Sequence, residues 1–566
     1  MLFDPKISLL RIGLAIYLAL MWTVFQTHGA GFQVTDSSDD ANGFTLRNAI
    51  ILANSKGGSN TIILTNNTYI LTILGVDEDA SFSGDLDVTN GNLTIIGAST
   101  QRVTIDATVL GDRIFQVFPG TQLTLSNLVI KGGVAPTGVS GQGEDGGGIY
   151  NDGTLIMNNC VVTNNSSGVG ASSDVFGSNG GDGGGIYNLG VATFNNCTMS
   201  ANFSGAGGDS SGVGIGLQGG GGNGGNGGGI YNGGALMLTN CTVSGNYNGR
   251  GGGAGSVIYA SGSYQAGSIG GKGGYGGNGG GIYNTNILIL NNCTVSENLS
   301  GTGGGGASGG PGPGSGGDGG GIYNSGNMSL KDCTVAINSG GIGGIGGSGF
   351  FAGPGGNGGN GGGVFNEINN SSVNLGNSLI AMNTSGAGGN GEENGTGEIT
   401  AGGEFVLGYW PSGNVGSGAD LCGNFISQGY NLISQVDGSN GLTNGINNDL
   451  AGNTNAPINP LIGPLQDNGG PTFTHALLLG SPAIDQGSSF GLTTDQRGHL
   501  RPHDYFSIPN APGGDGSDIG AFEADIPILN IRMLTSSTSL SWDTNCPGYT
   551  LEYTTNLTIT NSIVLA

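Results

Sequence analysis

The stretch that decides the fold runs from Gly279 to Asn298. It reads Gly279-Gly280-Gly281-Ile282-Tyr283-Asn284, then Ile287-Leu288-Ile289-Leu290-Asn291-Asn292-Cys293-Thr294-Val295-Ser296, and closes on Asn298. Five segments repeat it with one spacing. Their tyrosines are Tyr150, Tyr187, Tyr231, Tyr283 and Tyr323. A cysteine follows each tyrosine by 10 residues, at Cys160, Cys197, Cys241, Cys293 and Cys333. An asparagine follows each cysteine by 5, at Asn165, Asn202, Asn246, Asn298 and Asn338. A sixth copy, Val364-Phe365-Asn366, has a three-residue insertion, then Ser378 and Asn383 in the last two places. From each closing Asn to the next aromatic ring the gap varies: 22, 29, 37, 25 and 27 residues. A block of fixed length, with all variation at one point, marks stacked repeats with a loop at one corner.

Inside the block the apolar runs read as short strands cut by Asn or Gly corners. Three such strands in about 20 residues make one coil of a parallel β-helix. Coils stack like residue on like residue at the strand spacing of about 4.8 Å. Ladders of Tyr, Cys and Asn follow. The region 60–131 has the same texture, with Thr61–Leu64, Leu93–Ile96, Val103–Ile105 and Leu123–Leu125 as strands and Ile114-Phe115-Gln116 as a degenerate copy of the phrase. Before it, Thr45–Ala53 reads as a short apolar helix, expected to cap the exposed strand edges at that end.

The predicted fold is all-β. It is a right-handed, single-stranded parallel β-helix with glycine-rich corner loops, a short N-terminal capping helix and a small C-terminal β module. The segments are 1–30, an export signal; 31–59, the cap; 60–385, the β-helix; 386–525, the last coils and a further module; and 526–566, a partial β-sandwich-like tail.

Glycine supplies 125 of the 566 residues, and much of it lies in the corner loops 166–183, 203–227, 247–279, 299–319 and 339–361. Several loops carry G-G-x triplets. A three-residue period suits extended polyproline-II-like chains, and two glycines in three let such chains pack side by side. Five mobile loops are the other reading.

Lys and Arg number 13 against 38 Asp and Glu, a net charge of −25. Binding phosphate needs clustered cations, so nucleic acid is excluded as a partner. Lys6 and Arg11 precede an apolar run from Ile12 to Phe25, then His28-Gly29-Ala30. This reads as a cleaved export signal, the alternative being an uncleaved anchor. No second span follows it. The expected location is secreted or cell surface.

Three sets of residues resemble known exported proteins. The G-G-G-I phrase is similar to the repeats of polymorphic outer-membrane proteins, although Val162, Met199 and Val243 replace that motif's Phe. Phe44-Thr45-Leu46-Arg47-Asn48-Ala49 resembles the C-S-L-R-E-A motif without its Cys and Glu. Asp467-Asn468-Gly469-Gly470-Pro471, Gly480-Ser481-Pro482-Ala483-Ile484-Asp485, Asp495-Gln496-Arg497-Gly498 and Asp518-Ile519-Gly520-Ala521-Phe522-Glu523 resemble the choice-of-anchor Q module. The resemblance implies a pectin-lyase-like β-helix displayed at a bacterial surface, with no defined reaction. It also implies a structural knot in which Arg497 and Arg501 pair with Asp485, Asp495 or Asp518.

Stacked on one ladder, the cysteines read as free buried thiols, with one or two bridges or a metal as alternatives. Asp145, Asp152, Asp182, Asp318 and Asp332 read as solitary carboxylates without a basic partner. No catalytic, cofactor or metal residue is assigned. The acidic chain allows weak Ca²⁺ binding. Two functions follow. One is a non-catalytic adhesin, matrix or display scaffold whose glycine-rich loops meet a glycan or a solid surface. The other is a carbohydrate-active β-helix enzyme, a polysaccharide lyase or glycoside hydrolase, which needs grouped carboxylates, or carboxylates with Arg or Lys, in one groove. N-terminal sequencing of the exported protein is expected to start near residue 31; a mature chain that begins at Met1 contradicts the cleaved signal.

Overall fold

The computed structural model describes residues 29–40, 43–76, 78–211, 219–255, 270–308, 310–347, 353–367, 372–392, 410–505 and 507–525, and the backbone of Asn530–Met533 and Thr538–Ser541. The segment expected to be an export signal and most of the tail lie outside the described residues.

Three long parallel sheets of 11, 10 and 11 strands wind into a right-handed β-helix. The first runs from Gly31–Val34 to Ile426–Gly429, the second from Leu86–Val88 to Ser439–Asn440, and the third from Thr68–Ile70 to Leu450–Ala451. The repeats stack in register. Ile149, Tyr150 and Asn151 pair with Ile186, Tyr187 and Asn188, and the same alignment continues through Tyr231, Tyr283, Tyr323 and Phe365. Alternation at each strand sends Ile149, Leu155, Met157, Cys160 and Val162 inward, where they are fully buried.

Coils extend beyond the range 60–385 at both ends. Gly31–Val34 already pairs with Thr61–Leu64, so the first coil begins before the helix. The helix spans Leu46–Lys56, and the Thr45 hydroxyl accepts the Asn48 N–H at 3.3 Å as its cap. Arg47 is buried on it, held by Asp39 at 2.8 Å and by the carbonyls of Ser81, Gly84 and Asp85. These bonds pin the helix to the early coils. At the far end Leu421-Cys422 continues the second sheet against Val364-Phe365. The register near residue 115 differs from the expected one by a residue. Ile149 pairs with Phe115 and Tyr150 with Gln116. Phe115 therefore points inward, and Gln116 takes the tyrosine place.

The corner before each cysteine explains the recurring Asn. Asn159, Asn196, Asn240, Asn292, Asp332 and Asn377 all adopt φ of +47° to +54°, a left-handed turn that short polar side chains tolerate best. The next residue turns inward. Cys160, Cys197, Cys241, Cys293 and Cys333 are buried free thiols. Each donates S–H to the carbonyl two residues before it at 3.2–3.3 Å.

The described parts of the glycine-rich loops are packed. Each leaves the third sheet as an outgoing arm and returns toward the second. The two sets of arms form two layers joined by backbone hydrogen bonds. Cross-layer bonds run Gly181 N–H to Gly168 O, Gly205 to Gly181, Gly225 to Gly205, Gly301 to Gly277 and Gly317 to Gly301, all at 2.8–2.9 Å. Bonds within the outgoing layer link Gly207 to Arg250, Gly251 to Thr302 and Gly303 to Ile342; within the returning layer they link Gly180 to Asn223 and Gly224 to Tyr275. Every third residue faces outward. In 342–347, for example, Ile342 and Ile345 are exposed and the four glycines beside them buried. Glycine is needed here for close approach. A Cβ on Gly205 would overlap the carbonyl oxygen of Gly168. The bonds satisfy backbone groups that would otherwise be buried unpaired.

Residues 460–525 do not extend the stack. They fold back along the third sheet. Thr242 donates to Phe473 O at 2.7 Å, Thr294 to Gln496 Oε1 at 2.6 Å, and Asn292 to Thr494 O at 2.8 Å. Even Arg102 reaches Pro471 O at 3.0 Å. The cover shows in burial. Outward residues Thr294 and Ser296 are buried, whereas Val161 and Thr163, three coils earlier, are not.

Replacing Gly205 by Ala is expected to cost about 1–3 kcal/mol through backbone overlap. Ala206→Ser, at an outward position, is expected to stay within about 0.5 kcal/mol. Chemical unfolding of both variants tests the packed slab; equal stability contradicts it.

Candidate functional site

The tyrosine ladder is a single stack of rings. Centroids from Tyr150 to Phe365 lie 5.1, 4.6, 5.2, 4.8 and 5.1 Å apart. The rings cover one another's faces, so the ladder offers edges and hydroxyls to solvent. Burial raises the Tyr187 and Tyr323 hydroxyls well above the phenol range and Tyr283 to about 12. They remain protonated donors. The Asn ladder is internal. Asn165 donates to Asn202 Oδ1 at 3.0 Å, and the chain of amides runs through Asn246, Asn298, Asn338 and Asn383 to Asp420. A second amide ladder links Asn151, Asn188, Asn232, Asn284, Asn324 and Asn366. Tyr, Cys and Asn ladders alike are architecture.

Beside the ring stack lies a column the repeat phrase had hidden. The residue before each G-G-G is Asp145, Asp182, Asn226, Asn278, Asp318 or Asn360. Each side-chain oxygen accepts the backbone N–H of the next, at 2.6–2.9 Å. Three residues earlier, Gln142, Asn179, Asn223 and Tyr275 form a second column bonded in the same way. These columns are the outward face of the returning layer. Between them, Tyr275, Asn278, Ser315, Asp318, Asn357 and Asn360 line a hollow of ≈ 330 Å³.

A larger cavity of ≈ 530 Å³ opens where the ring stack begins. Arg113, Gln116, Glu144, Asp145, Tyr150 and Asp152 line it, with Phe118, Pro119 and Val139. The expectation that Asp145 stands without a basic partner is overturned, because Arg113 lines the same cavity and pulls on its carboxyl. Arg113 bonds Glu144 at 2.6 Å and Gln116 at 3.0 Å, lies 3.7 Å from Asp85 and sits 5.6 Å over the Tyr150 ring. Burial raises the Asp145 carboxyl against the pull of Arg113. Behind the wall Asp85, Asp87 and Asp112 crowd together. Burial, then repulsion by Asp87 and Asp112, holds Asp85 well above the carboxylate range, and burial lifts Asp87 to about 7. One oxygen of each, Asp85 Oδ2 and Asp87 Oδ1, has no hydrogen-bond partner. Sequence reasoning missed Arg113 and Glu144; Arg113 lies in a coil without the repeat phrase.

Asp332 also has a cation. Its carboxylate meets the buried Arg501 guanidinium, which bonds Glu523 at 3.0 Å as well. Arg497 pairs with Asp495 at 2.7 Å and Asp525 at 3.0 Å, its guanidinium 3.6 Å over the Phe522 ring. Asp518 and Asp485 take backbone partners instead. Asp518 accepts the N–H of Asp485 and Ala524, and Asp485 that of Tyr505. Arg501 thus ties the module to the β-helix. His475 is buried between Ser296 and Gly463, donating Nδ1–H to the carbonyl and accepting at Nε2, both at 2.8 Å. Among the described residues no three His, Cys, Asp or Glu side chains are grouped to hold a metal ion, and no helix is long and apolar enough to cross a membrane. No family model and no curated protein matches the chain.

Several buried carboxyls titrate high. Burial lifts Asp87, Asp182 and Glu523 to about 7 and Asp332, Asp420 and Asp485 to about 6. Unfolded, these groups titrate near about 4. Between those values the folded state holds more protons, so their contribution is complete below about pH 4 and lost as pH rises through about 7. The melting temperature is expected to be higher near pH 5 than near pH 8. A melting temperature that rises over that interval contradicts the assignment.

Proposed function

We propose that this chain is a non-catalytic, exported β-helix of the bacterial surface, similar to pectin-lyase-like display proteins that end in a choice-of-anchor Q module. It serves as an adhesin or matrix scaffold that binds hydroxyl-rich glycans through the returning-layer face. One observation carries this reading. The double layer holds Asn, Asp, Ser and Tyr side chains in fixed columns around two hollows on one face. Amides, carboxylates and hydroxyls at set spacing suit hydrogen bonding to sugar hydroxyls, and a rigid backbone reduces the ordering cost of binding. The resemblance at Asp467–Pro471 and Asp518–Glu523 supports export and display.

A second reading rests on the larger cavity. Glu144, Asp145 and Asp152 line it together with Arg113, the combination a carbohydrate-active β-helix needs. In that reading Asp145, its carboxyl raised by burial, is the proton donor to a glycosidic oxygen.

A glycan array, with a polysaccharide-degradation screen in parallel, separates the two. The scaffold reading expects binding without product, with Tyr275→Ala and Asn357→Ala weakening it at least about tenfold. The enzyme reading expects released sugar that Asp145→Asn abolishes. Retention of no glycan, with no product, removes both.

A further inference from the structure

The two hollows of the returning layer differ in charge. In the smaller one Asp318 is the one carboxylate among amides and hydroxyls, and its Oδ1 already accepts the backbone N–H and the side-chain amide of Asn360 at 2.6 and 3.0 Å. The larger one is acidic. Its lining holds three carboxylates, Glu144, Asp145 and Asp152, against one cation, Arg113. That cation is committed. Arg113 bonds Glu144 at 2.6 Å and faces Asp85 Oδ2 behind the wall at 3.7 Å. It pulls on Asp145 without an ion pair, and among the described residues Asp152 forms none either. Two polar atoms buried at this spot have no hydrogen-bond partner. One is Arg113 Nε, a donor; the other is Asp85 Oδ2, on a side chain only 4% exposed.

At ≈ 530 Å³ the cavity falls in the size class of ligand pockets, about 300–1,000 Å³. Two carboxylates without an ion pair call for a positive charge. Burial already raises the Asp145 carboxyl, and an ammonium beside it holds the ionised form. Hydroxyls are served as well. Gln142 and Ser140 line the same space, and the unused Arg113 Nε–H is a donor for a hydroxyl oxygen. Phe118 and Pro119 add an apolar wall for C–H groups. A neutral sugar leaves the charge uncompensated, and a uronate adds to it. A simple ammonium ion leaves the amide and hydroxyl groups idle.

We propose that the larger hollow is the subsite for a sugar unit that carries a free ammonium group, a hexosamine without its acetyl group. The proposal rests on the reading that the returning-layer face binds glycans, and it names what the first hollow of that face selects. The ammonium lies between Asp145 and Asp152, and its ring hydroxyls meet Arg113 Nε, Gln142 and Ser140. Charge complementarity sets the preference, because the carboxylates that attract the amine repel acidic glycans.

Isothermal titration calorimetry of the mature protein tests this. The probes are a glucosamine oligomer, its N-acetylated form and a glucose oligomer of the same length and linkage. The glucosamine oligomer is expected to bind at least about tenfold more tightly than the two neutral ones, with a margin that shrinks as sodium chloride rises. Asp152→Asn should bring the three within about threefold of one another. Asp467→Asn removes the same charge from an exposed position in the folded-back module and should leave the margin intact. A lysine oligomer of equal charge separates the sugar from a simple polycation, and it should bind more weakly than the glucosamine oligomer. Neutral oligomers that bind as tightly as the glucosamine oligomer overturn the proposal and leave the glycan reading standing. A margin that survives Asp152→Asn, or a lysine oligomer that matches the sugar, also overturns it. Absence of binding by every sugar oligomer removes the glycan reading itself, and the proposal with it. Should Asp152→Asn lose its fold by circular dichroism, the salt series on the unaltered protein decides. A margin that falls with salt supports the subsite, and a margin independent of salt overturns it.

Discussion

In-register parallel stacking is the constraint from which the rest follows. Each coil lies on the last with Cα partners fixed, from Ile149 on Ile186 to Ile322 on Val364. A residue type at one position therefore meets its own kind above and below. Tyr must stack, Asn must bond to Asn, and Cys must fit beneath Cys. Identical amides make good neighbours because each is both donor and acceptor. Identical carboxylates do not. The column beside the rings mixes Asp with Asn, and there the Asp182 side-chain oxygen takes the Asn226 N–H at 2.6 Å.

The same constraint governs the loops. Once the coils stack, loops leaving one corner lie about one strand spacing apart. At that distance two side chains in three have no room. Glycine is the answer at Gly205, Gly225 and Gly277, where an added Cβ would overlap a neighbouring carbonyl. The third residue escapes outward and is free to vary. Composition that would suggest a floppy linker thus encodes a packed two-layer slab.

Much of this was legible in the sequence because the block length is constant. The Tyr-to-Cys and Cys-to-Asn spacings locate the strands, the corners and the inward ladders. Where the phrase fades, so does the signal. Phe115 is apolar like Ile114, and pattern alone does not decide which of them stands under Ile149; the structure pairs Phe115 with it and buries both. Gly31–Val34 is too short to read as a strand before its partner Thr61–Leu64 is in place. The packing of the loops was open between order and mobility, since glycine content serves both. The cavity was invisible for a different reason. Arg113 and Glu144 are 31 residues apart, and only the winding of one coil brings them together. Arg501 and Asp332 are separated by 169 residues, a pairing that no local pattern encodes.

The folded-back module changes how the molecule assembles and fails. A solenoid has only nearest-neighbour contacts, so it grows coil by coil and can fray coil by coil. Its growth is quick because each closure is short. The module's partners are remote: Arg102 lies 369 residues before Pro471, and Thr294 lies 202 before Gln496. Closures of that span carry a larger entropy cost and come late. The stack is therefore expected to be complete before the strap crosses it. Once the strap is down, the coils at Thr242 and Thr294 share Gln496, Arg501 holds the coil at Asp332, and these coils can no longer open one at a time. A one-dimensional array becomes a cooperative body, with its resistance to unravelling set by the last segment to fold.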